Sequence, residues 1–432
     1  MTPQRMLTAL LDSAEFARAY TLTSLTAVFG SFLIERLTST LTLATIVTFL
    51  AVVGAVTLLA RRAELSLLRF APSSLLAFLL LALISALWST DRSTTFASWI
   101  TLLGYTIIAI TIGHVRDTLQ TVRAIGDTLR WLLGVSLALE LLSGVLLDTP
   151  VRRLGIEGNL ALGGPIQGIF GTRNMLGFIA VVALITFVIE WRTHSVSRGV
   201  GVASVTLGGF LALLSASPTV VVLAAGVGVA TTALTIVRHT PAERRAIVQW
   251  ILGAVVIAAL AVAFALRHQI IRILDAGSDF SMRADLWNLL LDFSAERPLT
   301  GWGWFGPWPR GEYPFTYMNF LLEQSHRSSL NAYFDALLQL GWVGLALFVV
   351  LGGVAVVRSW LVASARRSVV YAWTPLVLVT LAVESMFESF TLTESGWVLL
   401  VLCTLRAGQS RSWRELIDAA HTGAIPTLKP EK

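Results

Sequence analysis

The stretch YFDALLQLGWVGLALFVVLGGVAVV, residues 333–357, carries a single charged side chain, Asp335. As a helix it is long enough for a bilayer core of ~30 Å, which takes about 20 apolar residues. Runs of this kind recur from residue 20 to residue 405. Of the 432 residues 55% are hydrophobic and 13% charged, against about 25% charged in soluble domains. Mean hydropathy is +0.74. A soluble enzyme is excluded. So is a membrane β-barrel, whose strands alternate apolar and polar residues over about ten positions. The fold class is all-α: a polytopic integral membrane protein.

Twelve transmembrane helices fit the pattern, near 19–35, 37–60, 70–89, 95–114, 126–147, 171–190, 199–216, 218–237, 246–266, 333–357, 369–387 and 395–405. Residues 1–18 lack the long apolar core and the cleavage site of a signal peptide and read as a cytoplasmic amphipathic segment. With that end inside, most of the 32 lysines and arginines fall on the cytoplasmic side, as the positive-inside rule requires. The domain plan is then 1–18 on the cytoplasmic surface, nine helices in 19–266, and an extracytoplasmic loop at 267–332. The last three helices occupy 333–405, and a cytoplasmic tail runs over 406–432. Both termini are cytoplasmic, in a cell (inner) membrane. The net charge of +6 does not point to nucleic acid, because the basic residues sit in short clusters between apolar runs. Cys403 stands alone in the last run, so no intrachain disulfide forms.

Two outer segments stand apart, 148–170 and 267–332. Long loops are uncommon in compact proteins unless they do something or are disordered. The second is rich in tryptophan and phenylalanine, and Met282–Phe293 has the apolar spacing of an amphipathic helix on the outer surface. No internal repeat of the transporter kind is visible. These features place function on the outer face.

Gly301, Gly303 and Gly306 spell G-x-G-x-x-G. A dinucleotide site needs a preceding strand and a following helix, and here the pattern lies in GWGWFGPW on the outer side. A tight aromatic turn is expected instead, with Trp302, Trp304 and Trp308 either in the interfacial belt or stacking on sugar rings. Outer arginines Arg152, Arg153, Arg173, Arg283 and Arg327 form a group suited to a diphosphate-bearing lipid, since guanidinium forks onto phosphate through paired hydrogen bonds. Pairing with Glu157, Asp285 or lipid headgroups is the plainer reading, and it is preferred for Arg152 and Arg153. His326 is the natural proton acceptor for a sugar hydroxyl, with Glu323 and Asp335 as competing carboxylates nearby. Glu140 lies near the outer end of a span, where a carboxylate is costly and so either functional or paired.

Four stretches together resemble the O-antigen ligase and polysaccharide polymerase superfamily of polytopic membrane glycosyltransferases. PIQGIFGTRNMLGF resembles the family's Gln-Gly-aromatic-Gly-x-x-Asn-x-Leu-Gly segment, with Asn174 at the asparagine. MRADLWNLLLDFSAERPLTGWGWFGPW resembles Arg-x-x-x-Trp … Pro-x-x-Gly-x-Gly, with Arg283 at the arginine. LLSASPTVVVL resembles a span opening Ser-x-Ser/Thr, with Pro218 where many members have arginine or a small residue. LNAYFDALLQLGWVG carries Asn331, nine residues, then Gly341 and Gly344 of the ligase signature. The histidine of that signature is missing: Leu330 holds its place, and His326 lies four residues earlier. If the tenth span extended outward through both positions, His326 would lie one turn above on the same face.

The resemblance implies an all-α fold with surface helices in a large outer loop between spans 9 and 10. It also implies a metal-independent, inverting transfer that needs no cofactor, from a polyprenyl-diphosphate-linked glycan donor to a glycan or lipid acceptor. Arg283 and Arg173 would hold the diphosphate and stabilise the departing charge. His326 would act as general base, and Asn174, Asn331 and Arg327 would bind substrate. Membrane lipids and polysaccharide-assembly proteins are the expected partners, in cell-surface polysaccharide or exopolysaccharide biosynthesis. Ligase and polymerase differ only in the acceptor and both stay open. The rival readings are a lipid-linked glycan transporter (flippase) and an inactive assembly scaffold.

Overall fold

The computed structural model describes Leu11 and residues 13–62, 70–265 and 279–409. Short polar side chains start seven of the described helices by accepting an otherwise unpaired N–H of the first turn. Ser13 caps α1 (Ala14–Phe29), Ser39 caps α3 (Thr40–Ala60) and Asp91 caps α5 (Arg92–Val115). Between them lie α2 (Ser31–Leu37) and α4 (Ser73–Ile84). Asp117 and Gln120 form a reciprocal capping box at α6 (Thr118–Leu141), which continues as a π-helical turn to Leu146. Thr172 caps α7 (Arg173–Arg192) and Ser197 caps α8 (Arg198–Leu214). Pro218 occupies the first turn of α9 (Pro218–His239), where its missing N–H costs nothing.

The chain continues through α10 (Ala242–Ala265), α11 (Asp279–Glu296), α12 (Phe315–Leu321), α13 (Ala332–Ala365), α14 (Trp373–Glu384) and α15 (Glu394–Gln409). Among the described residues the only β-type pairing is an isolated bridge between Val151 and Ile156. The all-α expectation holds.

Among the described residues six helices are long and apolar enough to cross a membrane: α3, α5, α6 with its extension, α7, α9 and α13. Three further apolar helices, Ser73–Leu87, α8 and Val369–Glu384, are shorter. The protein is therefore a polytopic α-helical membrane protein; these helices support that class and not an exact count of twelve. The first expected span, 19–35, is two helices broken at Gly30. Residues 1–10, 266–278 and 410–432, which carry parts of the surface segment, the large loop and the tail, lie outside the described residues.

The bundle's interior is aromatic where helices converge. Phe78 of α4 contacts Trp304, Phe348 and Trp397. The buried indole N–H groups of Trp397 and Trp373 donate to Thr106 and Thr186 at 2.8 and 3.1 Å, as buried tryptophans require. On the outside, Leu41, Phe49, Leu213, Val229 and Trp250 are exposed, which suits helices bathed in lipid. Cys403 is packed in the interior.

Residues 279–331 build a second core of their own. Leu286, Leu290 and Phe293 of α11 pack with Trp302, Phe305, Trp308, Phe315 and Met318, and against Leu338 of α13. Trp302, Trp304 and Trp308 are 4, 1 and 0% exposed. They are neither an interfacial belt nor a stacking shelf; they fold the loop onto the bundle. The loop docks through a break in α13. Gly341 has φ 67° and ψ −169°, and the carbonyls of Leu338 and Gln339 just before it accept N–H bonds from Trp302 and Gly303 at 3.0 and 2.8 Å. Trp342 N–H donates back to Pro298 at 2.8 Å. A Cβ on Gly301 would meet the Gln339 carbonyl carbon at 2.4 Å, and one on Gly341 the Leu299 carbonyl at 2.4 Å. Only glycine allows the two backbones to touch.

Candidate active site

The starts of α7, α9 and α13, the end of α14 and the first part of α11 come together at one end of the bundle. Their focus is Glu388, which follows α14 and is buried. Its Oε1 accepts from Arg283 Nη2 at 3.0 Å and from Asn174 Nδ2 at 2.6 Å. Asn174 belongs to the first turn of α7, and its Oδ1 accepts from Ser217 Oγ at 2.7 Å, which lies 2.7 Å from Thr219 Oγ1. That chain fixes which way round the amide sits. Arg283 also donates through Nη1 to the carbonyls of Phe387 and Leu330. One guanidinium thus ties α11 to the segment after α14 and to the segment before α13.

The Arg-x-x-x-Trp spacing has a direct cause. Positions i and i+4 share a helix face, and one turn after Arg283 the Trp287 indole donates to the Ser329 carbonyl at 2.9 Å. Both side chains therefore dock on residues 329–330. Asn331 is the N-cap of α13: its Oδ1 accepts from Tyr333 and Phe334 N–H at 3.0 and 3.1 Å, and its Nδ2 donates to Met386 at 3.0 Å. Asp335 is buried and accepts from Trp308 Nε1 at 2.7 Å, Ser329 N–H at 3.2 Å and Ser389 Oγ. Its carboxylate ties Trp308, the 329 segment and Ser389 to the start of α13.

His326 does not lie on α13. The helix starts at Ala332, Leu330 sits at φ 53°, and residues 326–330 are irregular. The expected one-turn offset from position 330 is therefore replaced by loop geometry. The His326 backbone is clamped by Asn319, whose Oδ1 accepts and whose Nδ2 donates, both at 2.9 Å. Its ring Nε2 is buried and has no hydrogen-bond partner among the described residues. Burial, and then the Arg283 cation, hold its pKa below the usual histidine value. The imidazole is neutral at physiological pH with a nitrogen unclaimed.

Arg173 is the residue before Asn174 and partly exposed. Neighbouring helix residues do not face the same way, so Arg173 faces a different direction from Asn174. Arg327 is exposed and lines a cavity of about 90 Å³ with Ser328, Asp335, Gln339 and Ser389. Gln339 closes its floor, accepting from Phe305 and Gly306 N–H at 2.7 and 3.0 Å. Arg152 and Arg153 are exposed on a turn away from this focus. Glu140, expected to be functional or paired with arginine, accepts instead from the N–H groups of Gln167 and Gly168 at 3.2 and 2.8 Å. It anchors the loop that leads to Asn174. No three of His, Cys, Asp and Glu gather as a metal-binding group among the described residues.

Sequence reasoning missed Glu388, Ser217 and Gln339. Glu388 carried a readable signal: Glu384 and Glu388 lie four residues apart in the sequence at the end of an apolar stretch, where carboxylates are costly. Ser217 stood inside the Ser-x-Ser motif without being singled out.

These features define a polytopic membrane protein with a buried polar site at one end of its bundle, built by residues that are far apart in the chain. Residues 165–349 match the O-antigen ligase family. That match, over less than half of the chain, supports an O-antigen ligase- or polymerase-like role in polysaccharide biosynthesis. No curated protein is similar to the chain at a significant level.

Proposed function

We propose that this chain transfers a glycan from a polyprenyl-diphosphate carrier to an acceptor hydroxyl at the extracytoplasmic face. The observation that carries the reading is the convergence of Arg283 and Asn174, each from a separate motif, on the single carboxylate Glu388, with His326 close enough to Arg283 to feel its charge.

Arg283, with Arg173 at the rim, binds the diphosphate. As the bond between the anomeric carbon and the phosphate oxygen breaks, these cations stabilise the leaving diphosphate, which keeps the electron pair. The acceptor oxygen attacks from the opposite side and inverts the anomeric carbon. Neutral His326 takes the acceptor proton on its unclaimed Nε2. Asn174 and Glu388 hold the guanidinium and the start of α7 in place, and Asn331 holds the start of α13. Arg327, at the mouth of the 90 Å³ cavity, meets the acceptor glycan.

The test is reconstitution of the purified chain in vesicles with a polyprenyl-diphosphate-linked glycan. Release of polyprenyl diphosphate with a longer lipid-linked glycan identifies a polymerase. Release with glycan on a different lipid identifies a ligase. Movement of intact donor across the bilayer without release refutes the reading in favour of transport.

A further inference from the structure

The opposite end of the same helices holds a second polar cleft, of about 290 Å³, that the transfer reaction does not use. It is lined by Arg366 after α13, Tyr371 and Thr374 at the start of α14, Arg406 and Gln409 at the end of α15, and Thr118 at the start of α6. We propose that this cleft binds the phosphate of an anionic glycerophospholipid headgroup in the leaflet opposite the transfer site.

The charge pattern favours an anion. Among the described residues no aspartate or glutamate lines the cleft. Arg406 is fixed in place by uncharged groups: Nη1 donates to Gln409 Oε1 at 3.0 Å, and Nη2 to the Arg116 carbonyl at 2.6 Å and Thr121 Oγ1 at 2.9 Å. Its charge is held and not neutralised. The carboxylate that acts on it, Asp117, is engaged in capping α6 through Gln120 N–H at 2.7 Å. Arg366 is exposed and its guanidinium lies 5.9 Å from the centroid of the Tyr371 ring, which orients a cation without cancelling it. Hydroxyls of Thr118 and Thr374 offer further donors, and guanidinium is the group best matched to phosphate.

Size and place favour a headgroup. The volume sits at the lower end of the range of small-ligand pockets, about 300–1,000 Å³. It lies at the ends of α6 and α13, both long and apolar enough to cross a membrane, where a helix meets the headgroup region. The helices it joins, α13, α14 and α15, carry Asn331, Glu388 and the 390–394 turn at their other ends, so an occupant here braces the frame of the transfer site.

The test uses the full chain in nanodiscs of phosphatidylcholine, with and without phosphatidylglycerol, followed by release into detergent and native mass spectrometry. One phosphatidylglycerol retained per chain is expected. R366Q should weaken retention about tenfold, the loss of one charge-assisted contact, while R366K keeps part of it. R310Q, an exposed arginine in the loop at the other end, should leave it unchanged. Displacement of the lipid by millimolar inorganic phosphate would assign the site to free phosphate; resistance to it assigns the site to the headgroup. Retention by R366Q equal to that of the unaltered chain, with a normal melting profile, overturns the proposal.

Discussion

Replacing Glu388 by glutamine is the sharpest perturbation of the site. The change keeps shape and leaves an amide oxygen that still accepts from Asn174, but it removes the charge that Arg283 faces at 3.0 Å. The two side chains are only 17 and 7% exposed, so solvent does little to screen the pair. Deleting one partner of a buried pair outright costs about 3–5 kcal/mol. Glutamine retains the hydrogen bonds, and charge-assisted bonds are worth about twice neutral ones, which leaves a loss of about 1–2 kcal/mol in stability. Arg283 keeps its carbonyl contacts to Phe387 and Leu330, so the chain should fold. The guanidinium loses the anchor that aims Nη2, and glycan release from polyprenyl diphosphate should fall about 10- to 100-fold in kcat/KM, or ~1.4–2.7 kcal/mol of transition-state stabilisation. Glu388→Ala should do worse in both respects. The measurements are the turnover of reconstituted protein and its melting temperature in detergent. Turnover within about twofold of the unaltered chain would refute the claim that Glu388 positions Arg283.

Three further expectations follow from named contacts. With His326 as base, kcat/KM should rise with pH and level off below pH ~6.5, the ordinary histidine value, because burial and Arg283 both favour the neutral ring. Arg283→Gln should move that limb upward, and a limb that survives in His326→Gln would assign it elsewhere. Gly341→Ala places a Cβ 2.4 Å from the Leu299 carbonyl at a positive φ and should cost more than ~3 kcal/mol. Gly352→Ala in the same helix meets nothing within 4 Å and should be neutral or stabilising in the same melting assay. Leu330→His should restore turnover to His326→Gln, since Leu330 sits at φ 53°, a region histidine tolerates better than leucine. Failure to do so in a normally folded double variant would show that His326 acts from a place position 330 does not reach.

Much of the fold was readable because membrane spans announce themselves by composition. The helices α3, α5, α7, α9 and α13 lie where the apolar runs are, and Asp117, Thr172, Ser197 and Pro218 mark starts by local chemistry. Breaks inside the runs were not readable: a break such as Gly30 depends on what packs against it, and glycine is common inside apolar helices that do not break, as at Gly352 and Gly353. The three tryptophans of GWGWFGPW were misread for a related reason. Composition cannot separate an aromatic residue that meets lipid from one that fills a loop's own core. What decides is the docking of that turn on the carbonyls freed at Gly341, a contact between two backbones that leaves only glycines in the sequence.

The site divides along the same line. Arg283 and Asn174 were found because short motifs preserve spacing on one helix, and spacing is what a sequence states directly. Glu388 joins them from 105 and 214 residues away, a relation that exists only in three dimensions. Position 330 shows how the two kinds of information interact. Leucine there removes the side chain that the ligase signature supplies, yet the backbone of residue 330 still accepts Arg283 and its neighbour Asn331 still caps α13. The frame around Arg283 therefore keeps these contacts with leucine at 330, and in the proposed reaction only the proton acceptor must come from elsewhere. Under the proposed reaction that acceptor is His326, a half-buried histidine with an unclaimed ring nitrogen on the loop that leads into the same cap, and its use alters no contact on which the frame depends.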